Sequence, residues 1–125
     1  MKILAFEVRD DEKKGLMETA QELGVELELS GEVPCMENVE LVNGFEGVSV
    51  LGQGDINSEL LSAWKKQGVD YVSTRTIGYN HIDVENARKI GIRVCNARYA
   101  PNGVADFTVM LMLMCLRNYK QALWR

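Results

Sequence analysis

The sequence predicts a doubly wound α/β domain built on a parallel, five-stranded sheet. Short apolar runs rich in β-branched residues alternate with amphipathic segments that close on a glycine. This alternation is typical of parallel strands joined by right-handed helical crossovers. The chain has 125 residues, 46% of them hydrophobic and 26% charged. These values suit one globular domain and exclude a disordered chain.

The strands are predicted from five apolar runs. Their alternation with helices along the chain predicts a flavodoxin-like sheet. They cover residues 2–8, 25–29, 47–51, 69–73 and 92–95. Each run is short and bounded by glycine or polar residues, as expected of strands buried on both faces. No internal repeat or Pro/Gly/Ser-rich linker divides the chain.

Three helices are predicted between these strands, with a short helical stretch at 37–42 before the third strand. Each helix begins at a side chain that caps the first turn and ends before a glycine. The caps are Asp10 or Asp11, Asn57 and Asp83; the glycines are Gly24, Gly68 and Gly91. The inward faces are Leu16, Met17, Ala20 and Leu23, then Leu60, Leu61 and Trp64, then Val84, Ala87 and Ile90.

The last segment breaks the pattern, because residues 103 to about 125 read as one long apolar helix. From Val109 to Leu116 all eight residues are apolar. A helix that is apolar all round must be buried on more than one side. We therefore expect part of it to meet another domain or another chain. The Met110, Met112 and Met114 series is interpreted as packing, since alternate helical positions do not share a face.

Charge and cysteine content exclude several classes of function. With 14 basic and 18 acidic residues the formal net charge is −4, and without a Lys/Arg cluster nucleic acid is not expected as a partner. Cys35, Cys95 and Cys115 are odd in number and widely spaced, which predicts neither a disulfide framework nor a metal site. Cys95 and Cys115 are interpreted as small core residues. No signal peptide or membrane span is recognised, so a cytoplasmic protein is expected.

Candidate chemistry lies in the loops after the strands, because ligands bind parallel sheets at the carboxyl ends. The run Gly52-Gln53-Gly54 lacks the third glycine of a dinucleotide fingerprint and is interpreted as a turn. At Gly78, in the run 74–80, successive N–H groups can form a concavity suited to a carboxylate; an ordinary strand-to-helix turn is the alternative. Arg75 is interpreted as an inter-domain ion-pair partner or a solvated charge, and the lone His81 as a structural hydrogen-bonding residue.

Topology and length also suit a phosphoacceptor receiver domain. Asp10 and Asp11 would supply its acidic pair, and Ser73 or Thr74 its hydroxyl. The third strand, however, ends in Leu51-Gly52 where a phosphoaccepting aspartate is needed. This signalling function and an inactive, self-associating fragment are kept as the alternatives.

Three motifs follow one another in the second half of the chain, at Tyr71 to Asp83, Gly91 to Asn96 and Tyr99 to Asp106. Together they resemble the NAD-dependent D-2-hydroxyacid dehydrogenases. The GYNHID form, the run Val104-Ala105-Asp106 and the run 110–114 are most similar to the D-lactate dehydrogenases of that family, the vancomycin-resistance type included.

The resemblance implies that backbone amides at Ile77 and Gly78 hold the substrate carboxylate and that Tyr99 lines the pocket. Residues 1–101 would be the substrate-binding catalytic domain, and 102–125 an inter-domain helix leading to a nucleotide-binding domain. That domain would bind NAD and carry the arginine and histidine of catalysis; His81 matches the histidine of GYNHID and not the catalytic one. We expect no catalytic, cofactor-binding or metal-binding residue in this chain, so the chain alone should be inactive. The whole enzyme is expected to be a homodimer that reduces a small 2-keto acid such as pyruvate.

Overall fold

A five-stranded parallel sheet forms the centre of the computed structural model, which describes residues 1–123. The strands are β1 (Lys2–Ala5), β2 (Glu26–Leu29), β3 (Gly47–Val50), β4 (Tyr71–Thr74) and β5 (Arg93–Asn96). Their order across the sheet is β2-β1-β3-β4-β5, and all four pairings are parallel. The predicted α/β fold with five parallel strands is therefore confirmed.

Helices connect the strands as the sequence predicts. They are α1 (Asp10–Glu22), α2 (Ser58–Lys66), α3 (Val84–Lys89), α4 (Asn102–Leu116) and α5 (Tyr119–Leu123), with a 3₁₀ helix at Met36–Val42 between β2 and β3. The Asn57 side chain accepts from the Leu60 N–H at 3.0 Å, and Asp83 accepts from the Asn86 N–H at 2.9 Å. Both predicted caps are thus confirmed.

The start of α1 differs from the prediction. Arg9 is the N-cap, and Asp10 and Asp11 lie in the first turn of the helix. Neither acid caps the helix, but both place negative charge near its positive end, which is a favourable position for an acid. The predicted glycine at the end of α1 is confirmed: Gly24 has φ +64°, which costs little only in a residue without Cβ.

The hydrophobic core lies between the sheet and one layer of helices, formed by the 3₁₀ helix, α2 and α3. Trp64 is fully buried there and stacks on Phe6 with 6.2 Å between ring centroids. Leu60 and Leu61 point into the same core, as predicted. Burial of this one continuous face accounts for most of the apolar area that the fold removes from water.

The opposite sheet face is covered only along one edge, where α1 packs chiefly on β2. Of the predicted inward face of α1, only Ala20 is buried; Met17 is 48% and Leu23 71% exposed. That part of the prediction is wrong, because an open groove of about 680 Å³ separates α1 from the central strands. Cys95 lines this groove and is exposed, so the prediction of a core cysteine is also wrong.

The segment after β5 forms two helices where one was predicted. Helix α4 ends at Leu116, and α5 begins at Tyr119 after Asn118, whose φ of +48° breaks the helical path. Asparagine tolerates this left-handed conformation better than most residues do. The remaining part of the predicted helix, residues 124–125, lies outside the described residues.

Helix α4 is apolar, yet none of its residues is buried, and Cys115 is exposed where a core position was predicted. Within the described residues its main neighbour is the short helix α5, which leaves every apolar side chain of α4 except Met114 exposed. Across residues 1–123, no helix combines the length and hydropathy needed to span a bilayer.

Candidate functional site

The carboxyl ends of β1, β3, β4 and β5 meet along one edge of the sheet, because all five strands are parallel. Four loops lie at this edge, and backbone hydrogen bonds join neighbouring strand ends to one another. The backbone of Phe6 donates to Ser49, and that of Arg75 donates to Val50, both at 2.8 Å. This edge is the expected ligand-binding side of such a sheet.

Glu7, two residues after the end of β1, is buried at this edge and binds the loop that follows β3. Its carboxylate accepts the N–H groups of all four residues in the 51–54 loop. One oxygen takes Leu51 and Gly52, the latter at 2.8 Å; the other takes Gln53 at 2.7 Å and Gly54 at 2.8 Å. The residue is only 3% exposed and has φ +57°, a conformation uncommon outside glycine.

The interpretation of Gly52-Gln53-Gly54 as a turn is therefore consistent with the structure. Its consecutive N–H groups do form an anion-binding concavity of the kind that cradles phosphate in other proteins. Here the protein's own Glu7 carboxylate fills it. A dinucleotide phosphate would have to displace a buried carboxylate with four hydrogen bonds, so this loop does not fit NAD.

Arg75, the first residue after β4, bonds to the ends of two other strands. Its guanidinium donates to the Phe6 carbonyl at 2.9 Å, to the Glu7 carbonyl at 3.2 Å and to the Ser49 hydroxyl at 3.1 Å. It also lies 3.5 Å from a Glu12 carboxylate oxygen in α1. Its side chain is mostly buried, so it is not a solvated charge, and within this domain it braces the ends of β1 and β3.

The 76–79 turn carries the predicted carboxylate-binding residues, and hydrogen bonds hold three of its carbonyl groups in place. Thr76 Oγ1 donates to the Gly78 carbonyl at 2.6 Å, and Asn96 Nδ2 donates to the Ile77 carbonyl at 2.8 Å. The Ala97 N–H donates to the Thr76 carbonyl at 3.0 Å. Within residues 1–123, no acceptor is found for the N–H of Ile77 or of Gly78. Both residues are exposed, so two adjacent donors on a braced turn are free to bind an anion.

Gly78 plays a different part in this turn from the one predicted. Its φ lies outside the left-handed region, and an added Cβ would meet no atom within 4 Å. The backbone therefore does not require glycine here. The glycine instead leaves open space beside the two free N–H groups.

Tyr99 lies two residues beyond the hydrogen bond that joins Ala97 to the 76–79 turn. Its side chain is 54% exposed, and in the described part of the chain its hydroxyl makes no hydrogen bond. The Ala97 bond ties this segment to the turn, but no hydrogen bond within the described residues joins Tyr99 to Ile77 or Gly78. The assignment of these three residues to substrate remains a prediction.

His81 follows the same turn and is held in a chain of hydrogen bonds. Its Nε2 lies 3.3 Å from Thr74 Oγ1, which lies 2.7 Å from Thr76 Oγ1. Thr76 gives its single proton to the Gly78 carbonyl, so Thr74 donates to Thr76 and His81 Nε2–H donates to Thr74. This order agrees with the predicted structural role of His81.

The receiver-domain alternative is not favoured by the acidic residues after β1. Asp10 pairs with Lys13 at 2.7 Å, and this hydrogen bond and charge hold the pKa of the Asp10 carboxyl below its ordinary value. Asp11 pairs with Arg9 at 3.3 Å. Over the described residues, no three His, Cys, Asp or Glu side chains come together as a metal site would require.

Glu7 is the residue of this edge whose role sequence reasoning missed. An acid inside the apolar run of the first strand is a signal, because a buried charge needs several hydrogen-bond partners. The sequence does not reveal that those partners are backbone groups more than 40 residues away.

Comparison with known proteins identifies the family. Residues 3–121 match the family model described as "D-isomer specific 2-hydroxyacid dehydrogenase, catalytic domain". An aromatic 2-oxoacid reductase of Clostridium sporogenes is 38% identical over the whole chain. The chain spans only 38% of the length of that relative.

Solved structures give the same result for the fold. The apo-structure of D-lactate dehydrogenase from Escherichia coli superposes on the whole chain with a TM-score of 0.87 and 28% identity, and the chain covers 40% of it. A D-lactate dehydrogenase from Lactobacillus jensenii with NAD+ matches 91% of the chain, with a TM-score of 0.74 and 28% identity, and 35% of it is covered. The chain therefore belongs to the D-isomer specific 2-hydroxyacid dehydrogenase family, whose catalytic domain it matches.

Proposed function

We propose that this chain is the substrate-binding part of a dehydrogenase that reduces pyruvate, or a related 2-keto acid, to the D-2-hydroxy acid with NADH. Residues 1–101 form the substrate domain, and 102–125 lead to a nucleotide-binding domain. The observation that carries the proposal is the pair of free N–H groups at Ile77 and Gly78 on a turn braced by Thr76 and Asn96. Family membership supplies the reaction class.

The 76–79 turn recognises the one group that all 2-keto acids share. Two adjacent N–H donors can each bond one carboxylate oxygen, and hydrogen bonds to a charged group are about twice as strong as neutral ones. The turn's carbonyls are tied to Thr76 and Asn96, so the donors are preorganised and little freedom is lost on binding. The Tyr99 hydroxyl adds a third donor from the segment after β5.

NADH, held by the nucleotide-binding domain, supplies the hydride, and this chain orients the keto acid that receives it. The glycine-containing 51–54 loop, whose N–H groups could otherwise bind a phosphate, is filled by Glu7. His81 is not the proton donor, because its Nε2–H already bonds to Thr74 within the domain. The proton donor belongs to the other domain.

The same proposal includes a cytoplasmic homodimer. Helix α4 exposes a nearly continuous apolar surface, and apolar patches of this kind mark contact surfaces. In the whole enzyme, α4 packs against the nucleotide-binding domain and a second subunit.

The decisive experiment is an NADH oxidation assay on the protein in which this chain is joined to its nucleotide-binding domain. The substrates are pyruvate, 2-oxobutyrate, 2-oxoisocaproate and phenylpyruvate, the last because the relative from Clostridium sporogenes is named an aromatic 2-oxoacid reductase. Oxidation with at least one, giving the D-product, is expected. No oxidation with any of them would refute the proposal.

A tyrosine pair provides a matched test of the site. Tyr99→Phe removes the proposed hydroxyl donor, while Tyr79→Phe removes the hydroxyl of a similarly exposed side chain in the 76–79 turn, where the proposal assigns binding to backbone N–H groups only. Loss of one hydrogen bond to a charged group costs about 1.5–3 kcal/mol, so Tyr99→Phe should raise KM about tenfold or more. Tyr79→Phe should leave KM within about twofold. Equal effects of the two changes would contradict the assignment of Tyr99.

A further inference from the structure

Glu7 is a buried acid that the proposed reaction does not use, yet its surroundings are built around it. Its two oxygens accept four consecutive N–H groups of the 51–54 loop. A carboxylate has acceptor sites for all four and no donor that would oppose them. Glutamine in the same place would turn an NH₂ group toward two of these N–H groups. The loop is therefore shaped to a negative charge at this position.

The backbone at Glu7 is held in an uncommon conformation so that the side chain reaches the loop. Its φ is +57°, and residues outside glycine persist in this region only when the surrounding structure holds them there. Here the Glu7 N–H donates to Glu32 at 2.9 Å, and Arg75 donates to the Glu7 carbonyl at 3.2 Å. Such retained strain is common near functional sites.

The 51–54 loop in turn lies against His81. A Cβ built on Gly52 would be 3.2 Å from His81 Cε1, so the imidazole ring rests almost directly on the Gly52 backbone. If the loop moves toward the ring, His81 has to move as well. The Ile56 N–H also donates to the His81 carbonyl at 2.8 Å, which ties the backbone of His81 to the segment that follows this loop.

From His81 the hydrogen bonds lead to the free N–H groups. His81 donates to Thr74, Thr74 to Thr76, and Thr76 to the Gly78 carbonyl. The Gly78 carbonyl belongs to the 76–79 turn, which carries the N–H groups of Ile77 and Gly78. A continuous set of contacts thus joins the Glu7 carboxylate to the proposed carboxylate-binding donors.

We propose that Glu7 is a positioning residue for substrate binding. Its carboxylate holds the 51–54 loop against His81, and the His81, Thr74 and Thr76 side chains transmit that position to the 76–79 turn. This inference rests on the proposed function, because it assigns the turn to the substrate carboxylate. The inference adds that the carboxylate of Glu7, after β1, sets the geometry of the turn that binds the carboxylate of the substrate.

The first experiment needs no substrate and uses the ¹⁵N-labelled full chain. In Glu7→Gln, the amide resonances of the 51–54 loop should shift, and so should those of Ile77 and Gly78. Glu28→Gln is the matched control, because Glu28 is an exposed acid on the neighbouring strand β2. The control should leave Ile77 and Gly78 unchanged. Shifts confined to the 51–54 loop would overturn the proposal.

Two further variants keep the test decisive if Glu7→Gln fails to fold. Gly52→Ala adds a methyl group about 3.2 Å from His81 Cε1, which forces the loop and the imidazole ring apart without changing the carboxylate, and it should shift the amides of Ile77 and Gly78. Glu7→Ala leaves an open anion site, which acetate at tens of millimolar should refill, moving these amides back toward their wild-type positions, whereas chloride should not. Unmoved turn resonances in Gly52→Ala, or restoration by both anions alike, would count against the proposal.

The second experiment measures kinetics in the enzyme that includes the nucleotide-binding domain. Loss of positioning at a carboxylate that is bound equally before and during reaction raises KM and spares kcat. Networks of this kind transmit effects of about two- to thirtyfold, so KM for the preferred keto acid should rise by that factor in Glu7→Gln, with kcat within about twofold. A lowered kcat at unchanged KM would overturn the positioning role.

The two proposals fail in different ways. An enzyme with no 2-keto acid activity would refute the proposed function, while the amide shifts of the substrate-free chain would still report the coupling from Glu7 to the turn. An active enzyme whose KM is unchanged in Glu7→Gln would refute the positioning role and leave the function standing.

Discussion

Arg75→Met should destabilise the domain by about 2–4 kcal/mol, although methionine preserves much of the stem's apolar packing. The guanidinium donates to the carbonyls of Phe6 and Glu7 and to the Ser49 hydroxyl. Two buried carbonyls left without a donor cost about 1–3 kcal/mol each. Part of this cost is offset, because in the described structure the buried Arg75 Nε has no partner of its own. Loss of the contact with Glu12 at 3.5 Å adds to the cost, although Glu12 keeps its ion pair with Arg9 at 3.6 Å.

Equilibrium unfolding in urea, followed by circular dichroism, measures this loss. With a slope of about 1.5–2 kcal/mol per molar for a domain of this size, the midpoint should fall by about 1–2.7 M. The unfolding midpoint of Arg75→Lys should lie between those of Arg75→Met and the wild type, because an ammonium group cannot reach all these acceptors at once. Arg88→Met, at an exposed position in α3, should change stability by less than about 0.5 kcal/mol. Equal midpoints for Arg75→Met and Arg88→Met would refute the bracing role.

The remaining predictions concern the core, the charges, the apolar helix and activity. Trp64→Ala should cost about 3–5 kcal/mol in the same urea assay, and a loss below 1 kcal/mol would show that the stack on Phe6 is not central to the core. Lys13→Gln should raise the pKa of Asp10 in a carboxyl NMR titration, because the hydrogen bond that lowers this pKa is lost. In the wild type, the stability that ionised Asp10 contributes is lost as the pH falls through its lowered folded-state pKa. The chain should self-associate through α4 in sedimentation and Leu113→Lys should weaken this, so a wild-type monomer at all concentrations would contradict it. Alone, the chain should neither oxidise NADH with keto acids nor bind NADH by fluorescence, and turnover would contradict the assignment of catalysis to another domain.

Local rules predicted the elements that depend on local physics. The Asn57 and Asp83 caps, the glycine after α1 and the inward face of α2 all follow from side chains within one helical turn of each other. The long C-terminal helix was predicted wrongly from hydropathy alone, because Asn118 takes a left-handed conformation that hydropathy does not report. The face of α1 was wrong because its burial depends on what lies across the sheet.

The order of apolar runs, their spacing and three motifs were sufficient to determine the fold class and the family of this protein. These features are local and periodic, so they can be read along the chain. The amides of Ile77 and Gly78 were expected from the resemblance, but only the tertiary structure revealed the buried Glu7, the brace at Arg75 and the hydrogen bonds that hold the 76–79 turn. Each depends on hydrogen bonds between strand ends far apart in sequence, and the parallel topology alone decides which strand ends become neighbours.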